Sequence, residues 1–400
     1  MRRRTVVLVL LTACGGAPAG RPSSPSTAPR TAHAETTSKG STPGDSASVT
    51  VPAALPRAAP LVTQIAAMGD TTCARLADAS IRCWGDNQYN VVALVAMDEQ
   101  YVPRPTAIAE LGPANKVVVG AAHACALLEN GDVKCWGSDD GALGIGTPLP
   151  PGPPPFTPRP AAVLGLHGVV DLAGAGHLCA KLGSGAVSCW HDYDSGVGDP
   201  RDAGSRTPVI VPAFAHAVQL VTGGSISCAL FADGKAKCSR DVSPGLIPRG
   251  KVRLDPIEVP GLGEVTALSA GNSGVCGITK KKTVRCWGNF AFEHPSESSP
   301  KTPAYAVASL KDVSSVALGD DMGCAIVGSG DVVCEHEDYS KPHIPIKVAG
   351  VSGAVEIAVG SGHACARTAA GAMLCWGRDD KGQLGDDGKT DRAEAVPVAF

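Results

Sequence analysis

What this 400-residue chain lacks narrows its classes first. After about residue 57 no segment has the 3.6-residue apolar periodicity of a helix, so an all-helical fold is excluded. Its one leading apolar run, Val6 to Leu11, is far too short to cross a membrane as a helix. No G-x-S-x-G elbow, H-E-x-x-H pair or phosphate-cradling glycine loop occurs, so the common hydrolase, metalloprotease and nucleotide signatures are missing. No C-x2-C pair occurs either, which argues against structural zinc. Charge of the sign that nucleic acid needs is also short. The chain carries 35 basic and 38 acidic residues. Without the arginines at positions 2–4, 32 basic residues face 38 acidic ones, a balance of −6. With no basic stripe interleaved with aromatics, phosphate binding has no electrostatic drive.

What the chain does have is a repeat. Two cysteines ten residues apart recur seven times: Cys73/Cys83, Cys125/Cys135, Cys179/Cys189, Cys228/Cys238, Cys276/Cys286, Cys324/Cys334 and Cys365/Cys375. All five tryptophans, Trp84, Trp136, Trp190, Trp287 and Trp376, directly follow a second cysteine; Ser239 and Glu335 stand there in the other two units. In an antiparallel hairpin that sets Cys125 opposite Cys135, Leu128 faces Asp132 across the loop Glu129-Asn130-Gly131. Three-residue loops commonly end in a positive φ, which suits glycine. Glycine holds that place in five units, as Gly131, Gly185, Gly234, Gly330 and Gly371. Ala79 and Lys282 hold it in the first and fifth, whose turns are expected to be more strained or differently built. Facing cysteines meet the geometry of a disulfide, so one disulfide per hairpin is expected, with reduced buried pairs as the rival reading. Each closes about ten residues and adds roughly 2–3 kcal/mol in the chain-entropy model.

Disulfides need an oxidising compartment. The start, MRRRTVVLVLLTAC, has three arginines, a short apolar run and then LTAC, and reads as an export signal over residues 1–13. LTAC resembles the lipobox of bacterial lipoproteins, which implies lipidation of Cys14, the one unpaired cysteine. Gly15 in place of Asp implies outer-membrane retention. Residues 14–57, rich in Pro, Ser, Thr and Ala, are too poor in large apolar groups to offset their ordering entropy and read as a tether.

Residues 58–400 read as all-β. Segments such as KVVVGAA, HACALLE and DVKCWG are followed before the next unit by a fourth, such as TPVIVP or DPIEVP. Four strands per unit, seven times, is the arithmetic of a seven-bladed β-propeller of four-stranded blades. The units also resemble a known family. The last one, GSGHACARTAAGAMLCWGRDDKGQLGDDG, is close to the regulator of chromosome condensation repeat, whose W-G-x-N-x-x-G-Q-L-G signature it matches with Asp379 in place of Asn. The likeness spans residues 61–400, is strong in units two and seven, and weakens in units four to six, where the LG segment is missing. It implies the propeller fold, and the added cysteines resemble exported bacterial members. Ala395–Phe400 has the fourth-strand pattern and is expected to complete the last blade, with residues 49–54 as the rival strand.

Candidate sites are few. His123, His177 and His363 recur at one place in the repeat, as hydrogen-bonding residues within their own blades or as part of a metal ring. Paired acids at Asp139-Asp140, Asp320-Asp321 and Asp379-Asp380 suit either calcium or solvated turns. Variable loops after each second cysteine should share one face, and Tyr193, Phe290, Phe292 and Tyr305 are candidate binding anchors there. The expectation is a monomeric, non-catalytic cell-envelope lipoprotein without cofactor or bound metal. It is held to the membrane by its lipid alone, and binds an envelope or extracellular protein or a polysaccharide, not nucleic acid. The alternatives are an inhibitor of a periplasmic or secreted enzyme, a propeller lyase or hydrolase, and, by family analogy, a guanine-nucleotide exchange factor.

Overall fold

Each cysteine meets its mate across a hairpin. In all seven units the two are Cα partners on neighbouring antiparallel strands. Their sulfurs are bonded in the expected pairs: Cys73–Cys83, Cys125–Cys135, Cys179–Cys189, Cys228–Cys238, Cys276–Cys286, Cys324–Cys334 and Cys365–Cys375. The computed structural model describes residues 60–92, 100–139, 143–146, 156–190, 206–224, 226–240, 256–272, 274–288, 292, 303–336 and 345–400. Arg57–Phe400 form one compact unit.

The hairpin loop is closed as its sequence implies. The Leu128 N–H donates to the Asp132 carbonyl at 2.8 Å and the Gly131 N–H to the Leu128 carbonyl at 3.0 Å, with Gly131 at φ +82°. Of the two alternatives for the loops without glycine, the structure shows the strained one. Both carry the same pair of bonds, Leu76 to Ser80 and Ala79 to Leu76 in one, Thr279 to Thr283 and Lys282 to Thr279 in the other. The turns are not rebuilt; Ala79 at φ +65° and Lys282 at φ +56° are simply held in the left-handed region. That conformation costs an L-residue roughly 1–2 kcal/mol, which the stapled hairpin absorbs.

Seven four-stranded antiparallel sheets follow, each with its strands in chain order. The first blade opens with Val62–Met68 and ends with Tyr101–Ala107; the seventh opens with Ala354–Val359 and ends with Arg392–Pro397. First strands of successive blades contact one another in a closed cycle, so they form the inner wall and the fourth strands the rim. The third blade corrects one strand expectation. Of the TPVIVP pattern only Val209–Ile210 pairs, with Val209 facing Cys189 and Ile210 facing Ser188. Pro212 ends the strand early because it opens a 3-10 turn, Pro212–Phe214. The ring closes with the C-terminal strand, Leu374 facing Pro397 and Cys375 facing Val396. The strand begins three residues before Ala395; the rival segment 49–54 lies outside the described residues.

The core is not one cluster but seven, each lying in a seam between two blades. The disulfide of one blade shares its cluster with the tryptophan of the next. Cys73 and Cys83 lie with Trp136, Cys125 and Cys135 with Trp190, Cys228 and Cys238 with Trp287, Cys365 and Cys375 with Trp84. Blades four and six lack the tryptophan, having Ser239 and Glu335. Their seams hold a phenylalanine from the preceding blade or its link. Phe214 lies beside Cys179 and Cys189, and Phe292 beside Cys276 and Cys286. Every seam thus contains one large buried aromatic, and burying such a ring removes 150–250 Å² from water.

Polar hooks hold the inner wall. An inner strand has a ladder partner on one side only, so its other edge leaves backbone groups to satisfy. The Gln64 amide of blade one meets both groups of Val117 in blade two, donating to its carbonyl at 2.8 Å and accepting from its N–H at 2.9 Å. Gln219 of blade four does the same to Leu268 of blade five, at 3.0 and 2.9 Å. Glu356 of blade seven accepts the Ile65 N–H of blade one at 3.2 Å. At one end of the wall, glycines let successive blades touch backbone to backbone. A Cβ on Gly223 would stand 1.7 Å from the Gly271 carbonyl oxygen, and one on Gly360 would stand 2.6 Å from that of Gly69. This is the physical reason for the glycine that precedes the first cysteine in unit after unit.

Candidate binding face

In an antiparallel blade the turn between strands one and two lies at the same end as the loop between strands three and four. All such turns and loops therefore gather on one face of the ring. Its described part is best defined where blade seven meets blade one. The loop after Trp376 reaches across this seam: the Gln383 carbonyl accepts the Trp84 indole N–H at 2.9 Å and the Thr72 hydroxyl at 3.0 Å. The loop after Trp84 repeats the device one blade on, with the Val91 carbonyl accepting from Trp136 at 2.7 Å. Inside each loop one side chain fixes the turn. Asp379 accepts the Leu384 N–H at 2.9 Å, and Asn87 accepts the Val92 N–H at 3.0 Å. These are the jobs of the W, N and L positions of the repeat signature.

Charge at this seam is paired across the blades. Arg378 and Lys381 both reach Asp70, and Lys381 also reaches Asp86 at 2.8 Å. Burial pushes the Asp70 carboxyl up, but hydrogen bonds and charge from Lys381 and Arg378 outweigh it and hold the acid below its ordinary range. The hydrogen bond to Asp86, working against burial, raises Lys381 in turn.

Two of the three histidines hydrogen-bond across seams, and the third, His123, is buried. His363 shares a hydrogen bond with Thr72 of blade one at 2.8 Å, and His177 with Ser227 of blade four. These partners lie in the next blade, while His363 also meets the Ser361 backbone of its own blade, so the expectation of bonds within a blade holds only in part. The acid pairs also serve turns and seams: Ser361 and Gly362 of blade seven donate to Asp320 and Asp321, and Asp380 accepts from Gln383. Among the described residues no three His, Cys, Asp or Glu side chains gather as a metal site.

Of the four aromatic anchors, Tyr193 and Phe290 lie outside the described residues, as does Cys14. After Cys189 the described chain stops at Trp190 and resumes at Arg206, so the variable loop that carries Tyr193 falls outside it as a whole. Cys189 itself belongs to the frame, fully buried and bonded to Cys179. Phe292 is not an exposed anchor. It is 1% exposed and packs in the seam with Cys276, Cys286 and Leu318, because that seam has no tryptophan. Tyr305 sits opposite Cys286 on a rim strand, half-buried against the same cluster. Sequence reasoning missed Gln64, Gln219 and Glu356. Each stands in an inner strand and bonds the backbone of the next blade, a partner far away in the chain.

The model of the regulator of chromosome condensation (RCC1) repeat matches residues 115–141 and 354–383, which run from the inner strand to the loop after tryptophan in blades two and seven. Yeast RCC1 (Prp20), solved bound to Kap60, superposes with a TM-score of 0.66 at 21% identity, covering 85% of each chain. The chain carries matches to the RCC1 repeat in two of its blades and shares the propeller fold of yeast RCC1. Human WBSCR16 has the same fold at a TM-score of 0.65 and 15% identity, over 80% of this chain and 94% of that one. Among curated relatives, the human E3 ubiquitin-protein ligase HERC2 is 28% identical over 283 residues, 67% of this chain but 5% of HERC2. The mitochondrial RCC1 domain-containing protein RUG3 of Arabidopsis thaliana is 23% identical over 238 residues, 56% of this chain and 53% of RUG3. The chain thus spans a small part of the first relative and about half of the second.

Proposed function

We propose that this RCC1-repeat propeller is a non-catalytic binding scaffold of the bacterial cell envelope, tethered by lipid on Cys14, whose loop face holds a protein or polysaccharide. The observation that carries the reading is the disulfide in every blade. Seven staples suit an oxidising compartment, and they make a rigid frame on which irregular loops can be displayed. The residues that recur from unit to unit are spent on seams: the tryptophans, the histidines at Thr72 and Ser227, the inner-wall glutamines. The repeat therefore builds the frame, and recognition falls to segments that differ between units, such as 191–205 and 241–255.

The test is a loop graft. Residues 191–205 and 241–255 are replaced together by short Gly/Ser linkers in the full chain, and envelope proteins and surface polysaccharides are cross-linked to both versions in cells. The grafted chain should keep its seven disulfides and its membrane fractionation and lose its cross-linked partner. Unchanged cross-linking after the graft would place recognition elsewhere, and recovery of unlipidated chain from the cytoplasm would overturn the compartment.

A further inference from the structure

Two ionisable groups meet at one hydrogen-bonded node of the closing seam. His363 is fully buried and bonds Thr72. The Thr72 hydroxyl also lies 3.0 Å from the Gln383 carbonyl, which ties the imidazole to the loop of that residue. Gln383 in turn lies in the loop that Asp379 fixes. Asp379 has no exposed surface; its Oδ1 takes the Leu384 N–H, and its own N–H donates to Asp391 at 2.8 Å. The Thr390 N–H also reaches this carboxyl and that of Asp386 lies beside it, but among the described residues no cation pairs with it. The Asp386 side chain is almost buried too, at 8%, and is held by Arg392 at 2.9 Å and the Gly388 N–H at 2.8 Å. A carboxyl this buried and without a cation partner is favoured in its protonated form. Blade one shows that the loop itself does not require an acid: Asn87 does the turn-fixing job of Asp379 there.

We propose that Asp379 and His363 form a compensating pair: the folded seam keeps a proton on Asp379 and denies one to His363, so closing the ring neither takes up nor releases protons at these two groups in mildly acid medium.

The two groups shift in opposite senses. Burial pushes Asp379 up to about 6, the nearby Asp386 adds to it, and the Leu384 and Thr390 N–H groups oppose it. Burial pushes His363 down to about 4, opposed by the Asp70 carboxylate and the Ser361 backbone and reinforced by Arg378. Asp379, raised in the folded state, contributes stability that is full below its ordinary value of 3.8 and is lost as pH rises through about 6. His363, depressed in the folded state, contributes stability that is present above 6.5 and is lost as pH falls towards about 4. The windows overlap and the slopes oppose. Between about pH 4 and 6 the folded seam holds one proton on Asp379, and the unfolded chain holds one on the histidine. The remaining acids facing the node are engaged by other groups. Asp70 and Asp86 are paired with Lys381, Asp380 with Arg378, Asp387 with Arg104 and Asp386 with Arg392, while Asp391 takes the Asp379 N–H.

The test is urea unfolding of the oxidised chain from pH 4 to 7.5, comparing the starting protein with Asp379→Asn, Asp386→Asn and His363→Gln. The folding constant of Asp379→Asn relative to the starting protein should rise about tenfold per pH unit between about 4.5 and 6 and then level off. Asp386→Asn should show a weaker rise of the same sign and reads the same proton if Asp379→Asn does not fold. His363→Gln should gain on the starting protein as pH falls below 6.5. In the imidazole NMR spectrum of the folded starting protein, His363 should not titrate above pH 5. Ratios independent of pH for the two acid variants, or a His363 signal titrating near 6.5, would overturn the proposal.

Discussion

At the scale of the residue, the glutamines of the inner wall show how a single side chain replaces a strand. A primary amide presents one donor side and one acceptor, the same pair as a backbone peptide, and so satisfies both groups of Val117 at once. Alanine at position 64 leaves that N–H and carbonyl facing a narrow, partly buried gap. Unsatisfied buried groups cost about 1–3 kcal/mol each, and water entering the gap recovers part of it. Gln64→Ala should therefore lower the unfolding free energy in urea by about 2 kcal/mol. Gln64→Glu, which keeps the acceptor and loses the donor, should fall between the two proteins. Equal stability of all three would mean that the hook is ornamental.

Single elements differ in how well they are protected. Thirteen of the fourteen bridged cysteines are fully buried, but Cys334 is only partly so. Its blade has Glu335 where others have tryptophan, and a rim strand of just two residues, Ile346–Lys347. Neither a short rim strand nor a missing tryptophan alone accounts for this: Cys238 lies beside Ser239, faces the two-residue strand Ile257–Glu258, and is 1% exposed. Thiol attack on a disulfide requires access. Limited reduction of the native chain followed by alkylation and mass mapping should label Cys324 and Cys334 before any other pair. Phe292 supplies a second measurement at this scale. As the aromatic of its seam it should cost about 3–5 kcal/mol when replaced by alanine, whereas an exposed binding anchor would cost almost nothing in urea. The legibility of the sequence divides along the same line. Hairpin register, disulfides, blade count and the closing strand follow from local spacing, because facing residues in a hairpin are near in the chain. The seam partners do not. Thr72 lies 291 residues from His363, and Gln64 lies 53 from Val117, so no local pattern joins them. Phe292 was misread for the same reason: only the missing tryptophan of the next blade explains its burial. The binding face was the least legible part, since the loops that vary from unit to unit carry no repeating physical demand to be read.

At the scale of the whole molecule, the ring is a chain of seven seams of which one joins its ends without covalent continuity. Six seams bring together blades consecutive in sequence. The seventh depends on residues more than 290 positions apart: Trp84 and Gln383, Arg378 and Asp70, Ile65 and Glu356. The last residues reinforce it. Phe400 sets its ring edge-on to Trp84 at 5.9 Å, the Ala399 N–H donates to the Gly385 carbonyl at 2.8 Å, and Val398 to Met373 at 3.1 Å. Repeats that touch only their neighbours unfold from their weakest end, and closure removes the ends. Deleting residues 398–400 leaves every blade with four strands but uncovers one edge of Trp84 and frees both carbonyls. The expected outcome is a ring that opens at this seam first. Near-ultraviolet dichroism from Trp84 should be lost at lower urea than the far-ultraviolet sheet signal, and amide exchange should rise in Val62–Met68 and Ala354–Val359 ahead of the other inner strands. A truncated chain whose two signals still fall together would mean that the inner-wall hooks and the Arg378–Asp70 pair close the ring without help from its last strand's tail.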